Sequence, residues 1–177
     1  VAQLDPLWNN GNYYDQEKQP TESLALAMQM MNVAAFHAGF FERVYPRETM
    51  KDQENLESVT GQTTFEKALN AVVMQSVPYT DLNHWIYTCR MCINYDVSRP
   101  YGGDLDKALS RIRAKVLAVP CRQDALHPWE FITWVTDRIN TLGGNAESYI
   151  LDSDYGHMAG ILRTDLFAEK VREFLDN

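Results

Sequence analysis

The protein has 177 residues, of which 45% are hydrophobic and 23% are charged, and its formal net charge is −8. This composition is typical of a globular protein with a real hydrophobic core. The negative charge argues against nucleic acid as the main partner, because phosphate binding requires a basic face. No run of about 18 apolar residues is present, so the sequence predicts no membrane-spanning segment.

Residues 1–103 show helical patterns and no convincing strand. An irregular, aromatic segment over residues 4–20 comes first, and a long apolar run at helical spacing follows over residues 21–45. A polar segment, residues 46–62, precedes two more predicted helices. The first helix is predicted to begin at Pro20 and Thr21, the second at a capping box from Thr63 to Glu66, and the third near Asp81.

Residues 104–177 alternate between helix-like and strand-like segments, in the order α-β-α-β-α. The predicted helices are residues 104–112, 128–142 and 164–176, and the predicted strands are residues 115–121 and 146–153. The first strand, "KVLAVPC", is a compact apolar run typical of a fully buried strand. The middle helix has Pro128 in its first turn and ends at Gly143 and Gly144. Strands separated by helices of this length predict a parallel sheet with right-handed crossovers.

Each predicted strand leads, at its carboxyl end, to a side chain suited to acid–base chemistry. Asp124 lies just past the first strand, and His157 lies past the second, on the glycine-containing loop "SDYGHMAG". Ligands of open parallel sheets bind at this edge, and neighbouring strands lie about 4.8 Å apart. We therefore predict a pair in which Asp124 orients the imidazole of His157 and stabilises its charged form. The alternatives are a structural loop histidine and a helix-capping role for Asp124 near Pro128.

The order of this aspartate and histidine matches the last two members of the α/β-hydrolase triad, Ser…Asp…His. In that fold the serine lies in a G-x-S-x-G motif between a strand and a helix. No serine of this sequence has that context. Two strands are also too few for a stable open sheet. We therefore expect the nucleophile and the remaining strands to lie upstream of Val1.

Four segments together resemble one enzyme family. Residues 4–27, "LDPLWNNGNYYDQEKQPTESLALA", are similar to a D-P-x-W-x-x-G-x-Y stretch followed by a Q-P-x-x-G-L-x-L-A helix start. Residues 59–97 resemble a helical lid with a D-x-N-x-x-x-Y element. Residues 108–128 resemble the strand that carries the triad aspartate, and "YGHMAG" resembles the G-H-D loop that carries the triad histidine. The chain thus resembles the C-terminal portion of the homoserine O-acetyltransferase family of α/β-hydrolase-fold acyltransferases.

The resemblance implies an α/β protein with a partial α/β-hydrolase fold. Residues 1–103 would form an opening segment and a helical lid, and residues 104–177 would form the C-terminal part of the core. Asp124 and His157 would be the catalytic residues of this core. The N-terminal core strands and the nucleophile elbow would be missing, so the chain alone is expected to be inactive and to need that part of its fold.

The resemblance also implies a reaction. A serine would take acetyl from acetyl-CoA and pass it to an alcohol by a ping-pong mechanism, as in methionine biosynthesis. Acetyl-CoA would be a co-substrate, with no bound cofactor and no metal. The family further implies a small-molecule substrate, a homodimer formed through the lid helices, and a cytoplasmic location without nucleic-acid or membrane partners. An esterase of the same fold and a non-catalytic dimerising protein are the alternatives.

The resemblance assigns three further residues to substrate binding: Asp81, Tyr87 and Met158. Asp81 and Tyr87 match the lid element, and a structural role near the pocket is the alternative for both. Met158 follows His157, where the family usually has an aspartate that engages the amino group of homoserine. A thioether cannot accept a strong hydrogen bond from an ammonium group. A less charged alcohol, or water in a hydrolase, is therefore an alternative to homoserine as the acceptor.

The remaining cysteines and histidines leave several interpretations open. Cys89 and Cys92 have C-x-x-C spacing, but no second Cys/His pair completes a zinc site, so ordinary buried cysteines are predicted. His127, close after the candidate aspartate, is interpreted as a second base, as a residue at the rim of the acyl pocket, or as a loop residue without a functional role. His37 and His84 are predicted to lie on helices.

Overall fold

The computed structural model of the protein describes residues 2–46 and 58–176. Most of the polar segment predicted over residues 46–62 lies outside these residues. The chain forms two compact units: residues 1–33 with 42–95, called here the helical unit, and residues 34–41 with 96–177, called the α/β unit. The division into a lid over residues 1–103 and a core over residues 104–177 stays a prediction.

The described residues of the first half of the chain are mostly helical, as the sequence predicts. Within residues 2–46 and 58–95, short 3₁₀ turns over Ala2–Leu4, Pro6–Gly11 and Val77–Tyr79 accompany four α-helices: α1 (Thr21–Ala35), α2 (Ala38–Val44), α3 (Thr64–Ser76) and α4 (Leu82–Asn94). The predicted capping box is confirmed, because the Glu66 N–H donates to Thr63 Oγ1 and the Thr63 N–H donates to Glu66 Oε2. Asp81 caps α4 by accepting a hydrogen bond of 2.6 Å from the His84 N–H. These side chains satisfy amide groups that the first turn leaves without partners.

The core of the helical unit joins its opening segment to α1, α3 and α4. Its buried residues are Tyr13, Leu24, Ala25, Met28, Val73, Val77 and Leu82, and the half-buried side chains of Trp8, Trp85 and Ile86 pack against them. Burial of these apolar side chains is the main favourable contribution to the stability of this unit.

The predicted helix over residues 21–45 is broken at Phe36 and His37. The His37 N–H donates to the Asp154 carbonyl oxygen at 3.1 Å instead of continuing the helical ladder, and this contact lies within the α/β unit. The prediction that His37 lies on a helix is therefore wrong, whereas His84 does lie on α4. No single helix within residues 2–46 and 58–176 meets the length and apolarity of a membrane span; α1 and α2 do so only as a pair, bent by 102°.

The second half of the chain contains the alternating helices and strands that the sequence predicts. Its elements are α5 (Leu105–Leu109), β1 (Lys115–Ala118), α6 (Trp129–Thr141), β2 (Asn145–Ser148), α7 (Ala159–Leu162) and α8 (Ala168–Asp176), with 3₁₀ turns over Arg99–Tyr101, Gly156–Met158 and Thr164–Leu166. Strands β1 and β2 pair in parallel, with Lys115 opposite Asn145 and Ala118 opposite Ser148. The predicted parallel sheet is confirmed.

Both strands are shorter than predicted. Pro120 has no N–H to donate, so the regular ladder ends at Ala118. A single parallel bridge between Cys121 and Leu151 then continues the pairing. The prediction that the first strand is fully buried is wrong for the described residues, because Lys115 is exposed and the rest of β1 is half-buried. The described part of the chain contributes two strands to this sheet, so each has a neighbour on one side only.

Helix α6 packs against β1 and β2 through a second core, which includes the buried residues Leu109, Ile139 and Ala146. The helix ends as predicted at Gly143, which has a positive φ of 84°. Pro128 is the N-cap residue and not a residue of the first turn, a small correction to the prediction. A third cluster, with Cys121, Leu151 and Ala159 buried, lies where the chain leaves the two strands.

Candidate active site

Two loops leave the sheet at the same edge, and each carries one predicted catalytic residue. Asp124 follows the bridge residue Cys121, whose carbonyl oxygen accepts the Asp124 N–H at 3.1 Å. His157 lies in the 3₁₀ turn Gly156–Met158, a few residues past the other bridge residue, Leu151. The parallel pairing of the strands therefore brings together two residues that are far apart in the sequence.

The side chains of Asp124 and His157 are hydrogen-bonded, with 3.0 Å between Asp124 Oδ2 and His157 Nδ1. The Asp124 side chain is 9% exposed and the His157 side chain is 33% exposed. Asp124 Oδ1 accepts hydrogen bonds from the backbone N–H groups of Leu126 at 2.8 Å and of His127 at 2.9 Å. Both carboxylate oxygens are thus engaged, which fixes the orientation of the group. The structure places the pair as the sequence predicts, and its catalytic role stays a prediction.

The surroundings of Asp124 favour its ionised form. Burial alone would raise the pKa of this carboxyl group, but the hydrogen bonds from the His127 N–H, the His157 ring and the Leu126 N–H outweigh it and lower the pKa below its ordinary value. The carboxylate is therefore charged at neutral pH and accepts the Nδ1–H of His157. In a neutral His157 ring with this hydrogen bond, Nε2 carries the lone pair, which is the tautomer that a general base requires.

A glycine immediately before His157 is required by the space around it. Gly156 has a positive φ of 55°, and a Cβ atom there would lie 2.9 Å from the Ala35 carbonyl oxygen and 3.1 Å from the Gln123 carbonyl oxygen. Both are backbone atoms that cannot rotate away, so any larger residue would displace the loop.

Gln123 links the two loops, a role that the sequence did not predict. Its Oε1 atom accepts the Ser153 N–H at 2.9 Å, and its Nε2 atom donates to Asp152. The Cys121 thiol also donates to the Ser153 carbonyl oxygen, at 3.4 Å. A single glutamine is not part of a recognisable motif. Its position directly before Asp124 was the only feature of the sequence that could have indicated this role.

His127 lies on the solvent side of the pair, with a side chain that is 65% exposed. Its Nδ1 atom is 3.2 Å from His157 Nδ1 and 3.9 Å from Asp124 Oδ2. The structure therefore adds a second imidazole to the predicted pair. Met158, the candidate substrate-binding residue after His157, is half-buried in the same turn, and its role stays a prediction.

The other two candidate substrate-binding residues, Asp81 and Tyr87, lie in the helical unit. Asp81 caps α4 and also accepts a hydrogen bond from the Tyr13 hydroxyl group. It lines a cleft of about 580 Å³ together with Tyr13, Pro20, Met74 and Tyr79. Tyr87 is exposed on α4. The substrate-binding role of both residues stays a prediction.

Asn83, the asparagine of the D-x-N-x-x-x-Y element, connects the opening segment to α4 by hydrogen bonds. Its Oδ1 atom accepts the Trp8 indole N–H at 2.8 Å, and its Nδ2 group donates to the Gly11 carbonyl oxygen at 2.9 Å. The prediction that Cys89 and Cys92 are buried is wrong, because both are exposed on α4. The described core packs against this helix only as far as Ile86, so it does not reach either cysteine.

Comparison with known proteins agrees with the resemblance seen in the sequence. No protein-family model matches the chain. It is 28% identical over 172 residues to a homoserine O-acetyltransferase of Geobacter metallireducens, covering 97% of this chain and 45% of that protein. It is 27% identical over 178 residues to a serine O-succinyltransferase of Stenotrophomonas maltophilia, covering 99% of this chain and 48% of that protein. The chain thus spans about half the length of the curated relatives it matches.

Solved structures show the same relationship. The fold matches a homoserine O-acetyltransferase from Bacillus anthracis with a TM-score of 0.89 and 38% identity, covering 99% of this chain and 46% of that one. The esterase E22 matches with a TM-score of 0.86 and 23% identity over 98% of this chain and 47% of that one, which is a likeness of fold alone. The chain is thus similar to homoserine O-acetyltransferases over about half of their length, and it has a part of the α/β-hydrolase fold.

Proposed function

We propose that the protein is a serine-dependent O-acyltransferase in which His157 is the general base and Asp124 orients it. The hydrogen bond of 3.0 Å between Asp124 Oδ2 and His157 Nδ1, at the carboxyl ends of parallel strands, is the observation that carries this proposal. Similarity to homoserine O-acetyltransferases and to a serine O-succinyltransferase supports acyl transfer to a hydroxyl group.

The proposed reaction has two proton-transfer cycles. His157 Nε2 accepts the serine proton while the serine oxygen bonds to the acyl carbon, and it returns the proton to the departing thiolate of acetyl-CoA. It then accepts the proton of the acceptor alcohol as that oxygen attacks the acyl-serine, and returns it to the serine. Asp124 stabilises the imidazolium ion in both cycles, which its low pKa favours.

The nucleophile in this proposal comes from outside these 177 residues, because none of their serines lies in a G-x-S-x-G motif. The similar proteins are about twice as long as this chain, which supports a further segment that supplies the serine and the oxyanion hole. The chain on its own would then be inactive.

The acceptor is proposed to differ from homoserine in charge or in binding mode. Met158 offers a thioether next to the catalytic histidine, and this group cannot pair with an ammonium ion. The same observation favours a second candidate function, ester hydrolysis, in which water takes the place of the acceptor alcohol.

The test uses the protein expressed from its complete reading frame, with acetyl-CoA as donor and L-homoserine, L-serine, a neutral alcohol or no acceptor. Release of the CoA thiol is followed with a thiol reagent. We expect acceptor-dependent release that is lost in His157→Ala and unchanged in His84→Ala, a control on the exposed surface of α4. Thiol release at full rate without an acceptor would favour the hydrolase, and full activity of His157→Ala would overturn the proposal.

A further inference from the structure

Three side chains of types that commonly bind metals lie together at the candidate active site. Asp124, His127 and His157 each present one ligand atom, and these atoms all lie within 4.8 Å of one another. The distances are 3.0 Å between His157 Nδ1 and Asp124 Oδ2, 3.2 Å between the two Nδ1 atoms, and 3.9 Å between His127 Nδ1 and Asp124 Oδ2. The proposed acyl transfer assigns no step to His127.

These distances are close to the spacing of ligands in a zinc site. Zinc binds histidine nitrogen and carboxylate oxygen at about 2.0–2.2 Å, and two ligands of a tetrahedral site are then about 3.3–3.6 Å apart. Two of the three distances are shorter than this range and one is longer, each by about 0.1–0.3 Å, so small side-chain shifts would bring all three atoms to tetrahedral spacing around one ion.

We propose that Asp124, His127 and His157 form a binding site for a divalent transition-metal ion of the zinc class. The set of two imidazoles and one carboxylate suits zinc, nickel and copper, whereas magnesium and calcium prefer oxygen ligands alone. Three protein ligands leave a fourth position for water. The proposal goes beyond acyl transfer, because it gives the same two residues a second, competing role.

The contacts around the three ligands favour binding. The backbone N–H groups of Leu126 and His127 hold Asp124 Oδ1, so Oδ2 is the oxygen that faces the two imidazoles. The same backbone hydrogen bond holds the His127 main chain next to the carboxylate. The Asp124 side chain is 9% exposed and brings a negative charge, while the His127 side chain is 65% exposed and gives the ion a path from solvent.

Occupancy of this site would switch off base catalysis by His157. A metal bound to Nδ1 takes the position of the Nδ1 proton, and the single proton of the neutral ring then lies on Nε2. In this tautomer Nε2 cannot accept a proton from a serine or an alcohol. The ion also takes Asp124 Oδ2 away from the imidazole. Zinc and substrate turnover are therefore expected to exclude each other.

The experiment measures Zn²⁺ binding by competition with a chromogenic chelator, with circular dichroism as the check of folding. The purified protein carries Cys89→Ser and Cys92→Ser, because thiolates are zinc ligands and these two exposed thiols would otherwise compete for the ion. We expect one equivalent of bound zinc, an affinity at least about tenfold lower in His127→Ala, and an unchanged affinity in His84→Ala. Magnesium at the same concentration should not compete.

Equal zinc affinity in the parent and in His127→Ala, with both proteins folded, would overturn the proposal. Cobalt(II) provides a second measurement, since a site with two imidazoles and a carboxylate should give a visible absorption band that His127→Ala loses. Persistence of that band would also contradict the assignment. Both readouts measure metal binding and not turnover. If the protein proves not to be an acyltransferase, the zinc measurements still decide whether the metal site exists. If zinc does not bind, the acyltransferase proposal is not affected.

Discussion

The Nδ1 atom of His157 lies 3.0 Å from Oδ2 of Asp124, although 33 residues separate the two in the sequence. The parallel register of β1 and β2, with Ala118 opposite Ser148, brings their following loops to one edge of the sheet. Backbone amides hold the aspartate, and the tight turn at Gly156 places the histidine. The geometry of this pair therefore depends on contacts that several loop residues make.

Asp124→Asn should impair the chemical step more than the fold. The side-chain carbonyl oxygen of the asparagine can still accept the Leu126 and His127 N–H groups, but the neutral amide no longer stabilises an imidazolium ion. We expect kcat to fall by about 10³–10⁴-fold with a small change in KM, measured by CoA release. Asp106→Asn is the matched control, because Asp106 pairs with Arg138 elsewhere on the same unit. An equal loss in both variants would indicate a structural effect.

Gly156→Ala should destabilise the protein and reduce its activity together. The φ of 55° is positive, and the added methyl group would lie 2.9 Å from a backbone oxygen, so alanine has no unstrained position there. We expect a loss of about 1–3 kcal/mol in the free energy of unfolding, measured by urea denaturation. Gly160→Ala is the control, because a Cβ atom there meets nothing within 4 Å. If Gly156→Ala were as stable and active as Gly160→Ala, the close backbone oxygen atoms around residue 156 would not restrict it to glycine.

Tyr13 should titrate at unusually high pH. Burial, and then the hydrogen bond to Asp81, raise the pKa of Tyr13 to about 12. The pKa of Tyr13 in the folded protein lies above its value of about 10 in the unfolded chain. The contribution of the neutral Tyr13 hydroxyl group to the free energy of unfolding is therefore complete below pH 10 and is lost between about pH 10 and 12. The measurement is the free energy of unfolding against pH for the parent and for Tyr13→Phe.

The difference between these two proteins should shrink as the pH rises through that window, from about pH 10 to about pH 12. A constant difference across it would contradict the raised pKa. Tyr79→Phe is the control, since that ring is exposed and its replacement should change the free energy of unfolding by less than about 0.5 kcal/mol.

Two adjacent valines on α3 offer a test of the helical core. Val73 is 1% exposed and packs among the buried residues around Leu82, whereas Val72 is 54% exposed. Val73→Ala removes two buried methyl groups and should lower the free energy of unfolding by about 2 kcal/mol. Val72→Ala should change it by less than about 0.5 kcal/mol. Similar effects of both changes, measured by urea denaturation, would show that the packing of α3 differs from that described.

Several features that depend on neighbouring residues were predicted correctly, whereas some features that depend on distant residues were not. The capping box at Thr63 and the N-cap at Asp81 were predictable, because their hydrogen bonds connect residues three apart in the sequence. The break at His37 was not, because its N–H group donates to Asp154, more than a hundred residues later. The exposure of Cys89 was missed for the same kind of reason: periodicity marks a helix face but does not say how far the packing extends.

The sequence by itself determined most of the helices, the presence of two strands, their parallel direction and the pairing of Asp124 with His157, since these follow from hydrophobic period, capping residues and strand order. The tertiary structure decided which ring nitrogen of His157 faces Asp124, how Gln123 joins the two loops, and that His127 lies beside the pair. These features depend on distances of a few ångströms between side chains on separate loops. Such distances are set by packing and by backbone conformation, which no local pattern of residues specifies.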